Sequence, residues 1–361
     1  MCQQNHPRHT IFCILPPYLL RNIAQNGSKE QRDMALDALS GDMTFRNLRA
    51  GAILSVDLLR KKPLAYMLAG DKQRTIYNAN GSQNLPGTLV RAEGGEPTGD
   101  PAVDEAYDGL GATYDFYWQL FKRNSIDDEG LPLIGTVHFG DKYSNAFWDG
   151  QRMVFGDGDG QLFNRFTTSL DVIAHELTHG VTEDESQLLY SGQSGALNES
   201  VSDVFGSLVK QYTLNQTADE ADWLIGAELF TDKVQGSGGN KAAIRSMKDP
   251  GSAYDDPVLG KDPQPKHMDN FVNTFEDNGG VHINSGIPNH AFYLAATSIG
   301  GNAWEKAGRV WYATLLDPKL KPNAKFQQFA ELTIENAKRY EVEKEVREAW
   351  EQVGITSPVP A

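Results

Sequence analysis

Cysteine is almost missing from this chain: Cys2 and Cys13 are the only two in 361 residues, and both lie at the extreme N-terminus. The body of the chain therefore has neither a disulfide framework nor a thiolate metal site, and any metal there must be held by histidine and carboxylate. Long apolar runs are missing as well. No stretch of 18 apolar residues occurs, which excludes a membrane-spanning helix. Near the start, Ile11-Phe12-Cys13-Ile14-Leu15 is stopped at once by Pro16-Pro17. That is short of the roughly 7 to 15 apolar residues of a secretory signal, so no conventional signal peptide is expected. Positive charge is scarce too, with 33 basic against 48 acidic side chains and a formal charge of -15. Such a surface repels a phosphate backbone, and no basic stripe with interleaved aromatics offsets it, so nucleic acid is not an expected partner.

What is present, 40% hydrophobic and 22% charged residues, is the composition of a soluble globular protein, and the length suits two domains with a short accessory segment. Residues 1–50 carry six basic and four acidic side chains, a mildly positive stretch ahead of a strongly acidic body. Such a segment can dock on that body electrostatically, or form a helical hairpin of the first domain. From about residue 51 to 165 turn signals punctuate short strands: Asn80-Gly81, Pro86-Gly87, Gly94-Gly95 and the run Gly156-Asp157-Gly158-Asp159-Gly160. The last of these reads as turn chemistry, with calcium as the alternative. One helix interrupts the strands. Asp100 reads as its N-cap and Pro101 as its first residue, followed by Val103, Tyr107, Leu110, Tyr114, Tyr117 and Phe121 at helical spacing. Beyond about 168 the periodicity is helical up to a last helix with Val342, Val346, Ala349, Trp350 and Val353, closed by Gly354. A cleft between a β-rich and an α-rich lobe is a natural place for a site.

The strongest chemical signal is His175-Glu176-Leu177-Thr178-His179, with Ser169 as a cap ahead of it. On a helix, positions i and i+4 share a face, so both imidazoles can reach one zinc ion while Glu176 sits beside it without ligating. A catalytic zinc needs a third protein ligand and one open position. A third histidine six residues after His179 is ruled out, because Glu185 stands there. Twenty residues after His179 comes Glu199, the expected third ligand, and Asp203, one turn further on, can accept the free N–H of a ligating imidazole. In Asp277-Asn278-Gly279-Gly280-Val281-His282, two glycines between the acid and the histidine allow a tight turn, so Asp277 can orient His282. Cys13 has two readings, a zinc-silencing thiolate or a small buried hydrophobe. His138, His267 and His290 show no partner in the sequence and are left as structural.

These motifs, together with Ser144-Asn145-Ala146-Phe147-Trp148, Gly195-Ala196-Leu197-Asn198-Glu199 and Ile244-Arg245-Ser246-Met247, resemble the thermolysin family of zinc metalloendopeptidases over residues 100 to 354. The resemblance implies an α+β fold with a β-rich N-terminal lobe over 51–185, an α-helical C-terminal lobe over 186–361 and zinc in the cleft between them. It implies that His175, His179 and Glu199 bind zinc, with Asn198 and Asp203 behind them, and that Glu176 is general base to the bound water. Tyr190 and His282 would stabilise the oxyanion, Asp277 would orient His282, and Arg245 would hold the substrate carbonyl. Asn145 and Ala146 would present edge-strand backbone to an extended peptide. The pocket for the residue after the cut bond would be lined by Phe163, Phe166, Val172, Ile225, Leu229 and Ile244, so bulky apolar residues are expected there, with smaller ones as the alternative if the two phenylalanines narrow it.

Two departures from the family carry further expectations. At the positions where thermolysin holds a pair of calcium ions this chain has Asp171, Lys210, Asp222, Leu224 and Ala227. With Lys210 supplying the positive charge, the double calcium site is expected to be absent, while a single calcium elsewhere stays compatible with the sequence. Only about fifty residues precede the catalytic region, with Pro16-Pro17-Tyr18-Leu19-Leu20 near the start, which resembles the short-propeptide, protealysin-like branch of the family. Residues 1–50 then read as a propeptide that acts as an intramolecular inhibitor and is removed by self-cleavage. The expected product is a monomeric endopeptidase acting on proteins and peptides, with no membrane partner. It would be exported by an unconventional route, with a cytoplasmic role as the alternative. A rival reading is a catalytically silent zinc-binding or adhesion protein on the same fold. The presence of Glu176, Tyr190 and His282 argues against it.

Overall fold

The computed structural model describes residues 12–40 and 70–356. Cys2, Ile11 and the expected boundary between residues 50 and 51 lie outside the described residues. The first described elements are a two-residue strand, β1 (Phe12–Cys13), helix α1 (Pro17–Asn26) and helical residues 29–40, here α2. Pro16 stands at the N-cap of α1 and Pro17 at its first position, where the missing N–H costs nothing, so the pair both ends the strand and starts the helix.

Five further strands complete one sheet: β2 (Arg74–Asn78), β3 (Thr88–Ala92), β4 (Leu133–Val137), β5 (Ala146–Trp148) and β6 (Met153–Phe155). Their order is β1-β5-β6-β4-β2-β3. Strands β2, β4 and β6 run parallel, and antiparallel neighbours flank them. Behind the sheet lies α3 (Pro101–Phe121), capped by Asp100, whose carboxylate accepts from the Ala102 amide, and ended by Lys122 in the left-handed region. The N-cap and Pro signals in the sequence thus mark the helix start.

His138, left as structural in the sequence reading, has partners that the sequence does not show. Its ring nitrogens lie 2.9 Å from Asp157 and 2.9 Å from Asp100, so it ties the Gly156–Gly160 turn to the cap of α3. These partners are 19 and 38 residues away, beyond the reach of any local pattern. Asp159 in the same turn accepts the amides of Gln161, Leu162 and Phe163, as turn chemistry requires. Partial burial works against a charge on His138, but Asp157 and Asp100 outweigh it and raise its pKa. A raised folded pKa contributes stability that is fully present below the unfolded value of about 6.5 and fades as pH rises through the folded value. His138→Gln should therefore cost stability at pH 5.5, by less than about 1 kcal/mol because the cluster is partly solvated, and much less at pH 9. Equal losses in urea titrations at the two pH values would contradict this.

Two helices, α4 (Leu170–Asp184) and α5 (Gly192–Leu214), cross closely. A Cβ at Gly206 would stand 2.5 Å from the Asp171 carbonyl oxygen and 3.4 Å from His175 Cβ, so glycine is what lets α5 reach the histidine helix. Ser169 occupies the N-cap position of α4, but its hydroxyl donates to Asp171 Oδ1 instead of accepting a helix amide. Asp171 is fully buried and needs that donor more than the helix end does. The remaining strands and α-helices are β7 (Leu224–Ile225) paired with β8 (Arg245–Ser246), the hairpin β9 (Asp255–Asp256) and β10 (Gly260–Lys261), and helices α6 (Asp277–Asn284), α7 (Gly286–Ile299), α8 (Ala307–Leu315), α9 (Phe326–Ala337) and α10 (Glu343–Gln352). Stacking of Trp311 on Trp350, 6.2 Å apart and 10° from parallel, locks α8 to α10.

Candidate active site

The helix period puts His175 and His179 on one face of α4, and α5 brings Glu199 opposite them. The two Nε2 atoms are 3.0 Å apart, and each lies 3.5 Å from an oxygen of Glu199. All three side chains are fully buried. A tetrahedral zinc with bonds of about 2.1 Å needs its ligands roughly 3.4 Å apart, so the spacing and the His-His-Glu donor set fit the metal. Among the described residues no other cluster of three such donors converges like this, and it does not include Cys13. Cys13 is 4% exposed within the core cluster, as a small buried hydrophobe would be.

The second nitrogens are held as well. His175 Nδ1 lies 2.8 Å from Asp203 Oδ1, and His179 Nδ1 lies 2.8 Å from Asn198 Oδ1 and 3.0 Å from Ser202 Oγ. Acceptors at Nδ1 place the proton there and leave Nε2 bare for a metal. Burial and the neighbouring His175 push the His179 pKa well down, which favours the neutral, ligating form. Asp203 stays ionised: burial opposes its charge, but Arg245 beside it holds its pKa well below the usual carboxylate range. Arg245 grips it through two 2.8 Å bonds, and Asn289 adds a third donor at 2.8 Å.

Glu176 is fully buried next to this cluster. Burial first, and then the Glu199 charge, drive its pKa well above the ordinary value, against the lowering effect of the Trp148 amide. Neither of its oxygens has a well-formed hydrogen bond among the described residues, which leaves both lone pairs for a water or a reacting proton. Across the site, the Tyr190 hydroxyl donates to Glu199 and lies 3.1 Å from His282 Nε2. His282 Nδ1 is 2.6 Å from Asp277 Oδ1, and Asp277 Oδ2 accepts the His282 amide at 2.9 Å. This contact is made by a left-handed turn over residues 277–280, with φ of 52°, 51°, 88° and 75°. Gly279 is needed there for space also, since a Cβ would stand 3.0 Å from the Gly192 amide nitrogen. Burial works against a charged His282, but Asp277 and Glu199 overcome it and raise its pKa.

The expected pocket residues Phe163, Phe166, Val172, Ile225, Leu229 and Ile244 are all fully buried or nearly so in one core cluster. Ile225 pairs with Arg245 across β7 and β8, which ties the apolar wall to the guanidinium. Asn145 and Ala146 lie at the β5 edge, and that edge is covered by β1 from the N-terminal segment. Lys210 Nζ sits among carboxylates, 3.3 Å from Asp171, 3.0 Å from Asp222 and 3.9 Å from Glu228. Glu228, Ser202 and Asn289 were not singled out from sequence. Ser202 follows from the helix period, three residues after Glu199, whereas Glu228 and Asn289 reach the site from elements that no local pattern connects to it.

A family model described as "Thermolysin metallopeptidase, catalytic domain" matches residues 54–183, and one described as "Thermolysin metallopeptidase, alpha-helical domain" matches residues 186–355. An extracellular metalloprotease of Pectobacterium carotovorum subsp. carotovorum is 57% identical over 348 residues, covering 96% of each chain. Protease PrtS of a Photorhabdus species is 50% identical over 347 residues, 95% of this chain and 91% of that one. The solved precursor of protealysin, a metalloproteinase from Serratia proteamaculans, superposes with a TM-score of 0.86 at 53% identity, covering 96% of this chain and all of the other.

Proposed function

Because the chain belongs to the thermolysin metallopeptidase family, we propose that it is a zinc endopeptidase made as a self-inhibited precursor, cutting on the N-terminal side of bulky apolar residues. The observation that carries the reading is Glu176, buried and without a well-formed partner, beside a convergent His175-His179-Glu199 donor set. Zinc, when held by those three residues, supplies Lewis-acid polarisation of the substrate carbonyl and a more acidic water. Glu176, buried with both carboxylate oxygens unclaimed, is placed to take a proton from water and return it to the leaving nitrogen. Tyr190 and His282 donate toward the oxygen where negative charge develops, and Asp277 keeps the His282 ring in place for that. Asn145, Ala146 and Arg245 hold the peptide backbone as an added strand.

In this reading residues 1–50 are the propeptide, and β1 occupies the substrate edge until it is removed. The surroundings support such docking: Arg21 pairs with Glu276 at 2.7 Å, and Asn22 donates to the Leu259 carbonyl at 2.8 Å. The names of the relatives favour action outside the cell, and a monomer suffices because the whole site comes from one chain. Endopeptidase action is tested with peptides blocked at both ends and carrying leucine, phenylalanine, alanine or aspartate after the intended cut. Leucine or phenylalanine should exceed alanine by about tenfold or more in kcat/KM, from the roughly 1.5 to 3 kcal/mol of burying a large apolar side chain. Hydrolysis confined to free-ended peptides would overturn the reading.

Lys210 takes the place of calcium in this proposal. Its ammonium pKa is raised by Asp171, Glu228 and Asp222 against the opposing effect of burial, so it remains charged. Lys210→Met would leave Asp171 buried with no cation, at a cost of about 2 kcal/mol after allowing for the solvent around Asp222. Millimolar calcium should leave the melting temperature of the wild type unchanged. A calcium-dependent rise of several degrees would mean that an ion site survives.

A further inference from the structure

The register of β1 singles out one bond of the N-terminal segment. Phe12 lies opposite Trp148 and Cys13 opposite Phe147, antiparallel to β5. Beyond the strand, the Ile14 amide donates to the Ala146 carbonyl at 3.4 Å, and the Leu15 amide donates to Asn145 Oδ1 at 3.3 Å. The Ile14 carbonyl accepts from Arg245 Nη1 at 3.4 Å. Arg245 is flanked by Ile244 along the chain and by Ile225 across the strand pair, two walls of the apolar pocket. A residue whose carbonyl rests on Arg245 is therefore placed to give its side chain to that pocket, and Ile14 is fully enclosed. At the other end of β5, Trp148 lies against α4: a Cβ at Gly180, one turn beyond Glu176, would stand 3.4 Å from its indole nitrogen. The catalytic carboxylate thus lies on the N-terminal side of Ile14, and the first bond in that direction is Cys13–Ile14.

We propose that Cys13–Ile14 is a substrate bond of this chain's own active site, cut in place as a first nick before the rest of the prosegment is lost. This rests on the endopeptidase reading. Hydrolysis consumes one water and breaks the Cys13 carbonyl carbon to Ile14 nitrogen bond. It leaves a carboxylate on Cys13 and an amine on Ile14, with Glu176 carrying the water proton to the Ile14 nitrogen. The residue after the bond is a bulky aliphatic, as the pocket requires. The nick alone does not open the site, because Leu15 remains on Asn145 and α1 remains anchored through Arg21 to Glu276 and Asn22 to Leu259. The N-terminal fragment leaves first, and the larger piece stays seated.

The test follows the purified full chain and its Glu176→Gln variant with zinc at two protein concentrations tenfold apart, by intact mass and N-terminal sequencing. A new terminus at Ile14 should appear in the wild type only, with the same half-time at both concentrations, as an intramolecular cut requires. A wild type that hydrolyses a blocked peptide but never shows an Ile14 terminus would overturn the proposal and leave the endopeptidase reading standing. A half-time that shortens in proportion to concentration would overturn the cut in place. Absence of both activities would remove the two together. A readout independent of turnover uses the Glu176→Gln background: adding Ile14→Asp should speed cleavage by added trypsin after Arg21 at least tenfold, by releasing the strand. An unchanged trypsin rate would show that Ile14 does not seat the segment.

Discussion

Glu176→Gln should lower kcat on a blocked peptide by about a thousandfold while the protein still binds one zinc per chain. The amide keeps the size and shape of the carboxylate but cannot accept the proton that a general base must take. Because Glu176 does not belong to the His175-His179-Glu199 donor set, metal content should be unaffected. The fold should tolerate the change too, since a neutral group replaces one whose ionisation burial already disfavours. Steady-state kinetics with metal analysis separates the possibilities. A variant with full zinc and undiminished kcat would remove Glu176 from the chemistry, and one that lost its zinc would make the carboxylate structural.

Asp203→Asn should act on stability and on the metal together. Asp203 is fully buried, and it meets the Arg245 guanidinium through two bonds while also facing His175 Nδ1. Removing its charge strands a buried guanidinium, which costs about 3 to 5 kcal/mol. It also removes the anion behind a ligating imidazole, an outer-shell change that weakens zinc by about 10- to 100-fold. Urea unfolding of the zinc-free protein reads the first effect and competition with a chelator reads the second. Loss of stability with unchanged zinc affinity would mean that Asp203 serves Arg245 alone.

The parts of the site that sequence could supply are those written within one element. His175 and His179 are one helical turn apart, Asp277 and His282 are joined by a glycine turn, and Asn198, Glu199 and Asp203 lie within six residues on α5. Side-chain direction on a helix follows from spacing alone, so these contacts could be read without coordinates. The contacts that bind one element to another could not. His138 meets Asp100 and Asp157, and Asn289 meets Asp203, across 86 residues in the last case. β1 was illegible for a different reason: two residues are too few to show alternation, and Ile11 to Leu15 reads as a truncated apolar run. Gly206 carries no local signal because its task, the close approach of α5 to α4, exists only when both helices are in place. The lobed α+β architecture was legible from the change of period near residue 168, since that change reflects which faces each element buries.

The central claim is that one zinc, held by His175, His179 and Glu199, makes this chain a peptidase. The most direct test strips the processed enzyme of metal with a chelator and titrates zinc back while following a blocked peptide. The account predicts no hydrolysis at the start, a linear rise to a plateau at one equivalent, and a flat line for His179→Ala at the same zinc concentrations. Full activity in the metal-free protein, or a tightly bound equivalent of zinc that restores none, would contradict it.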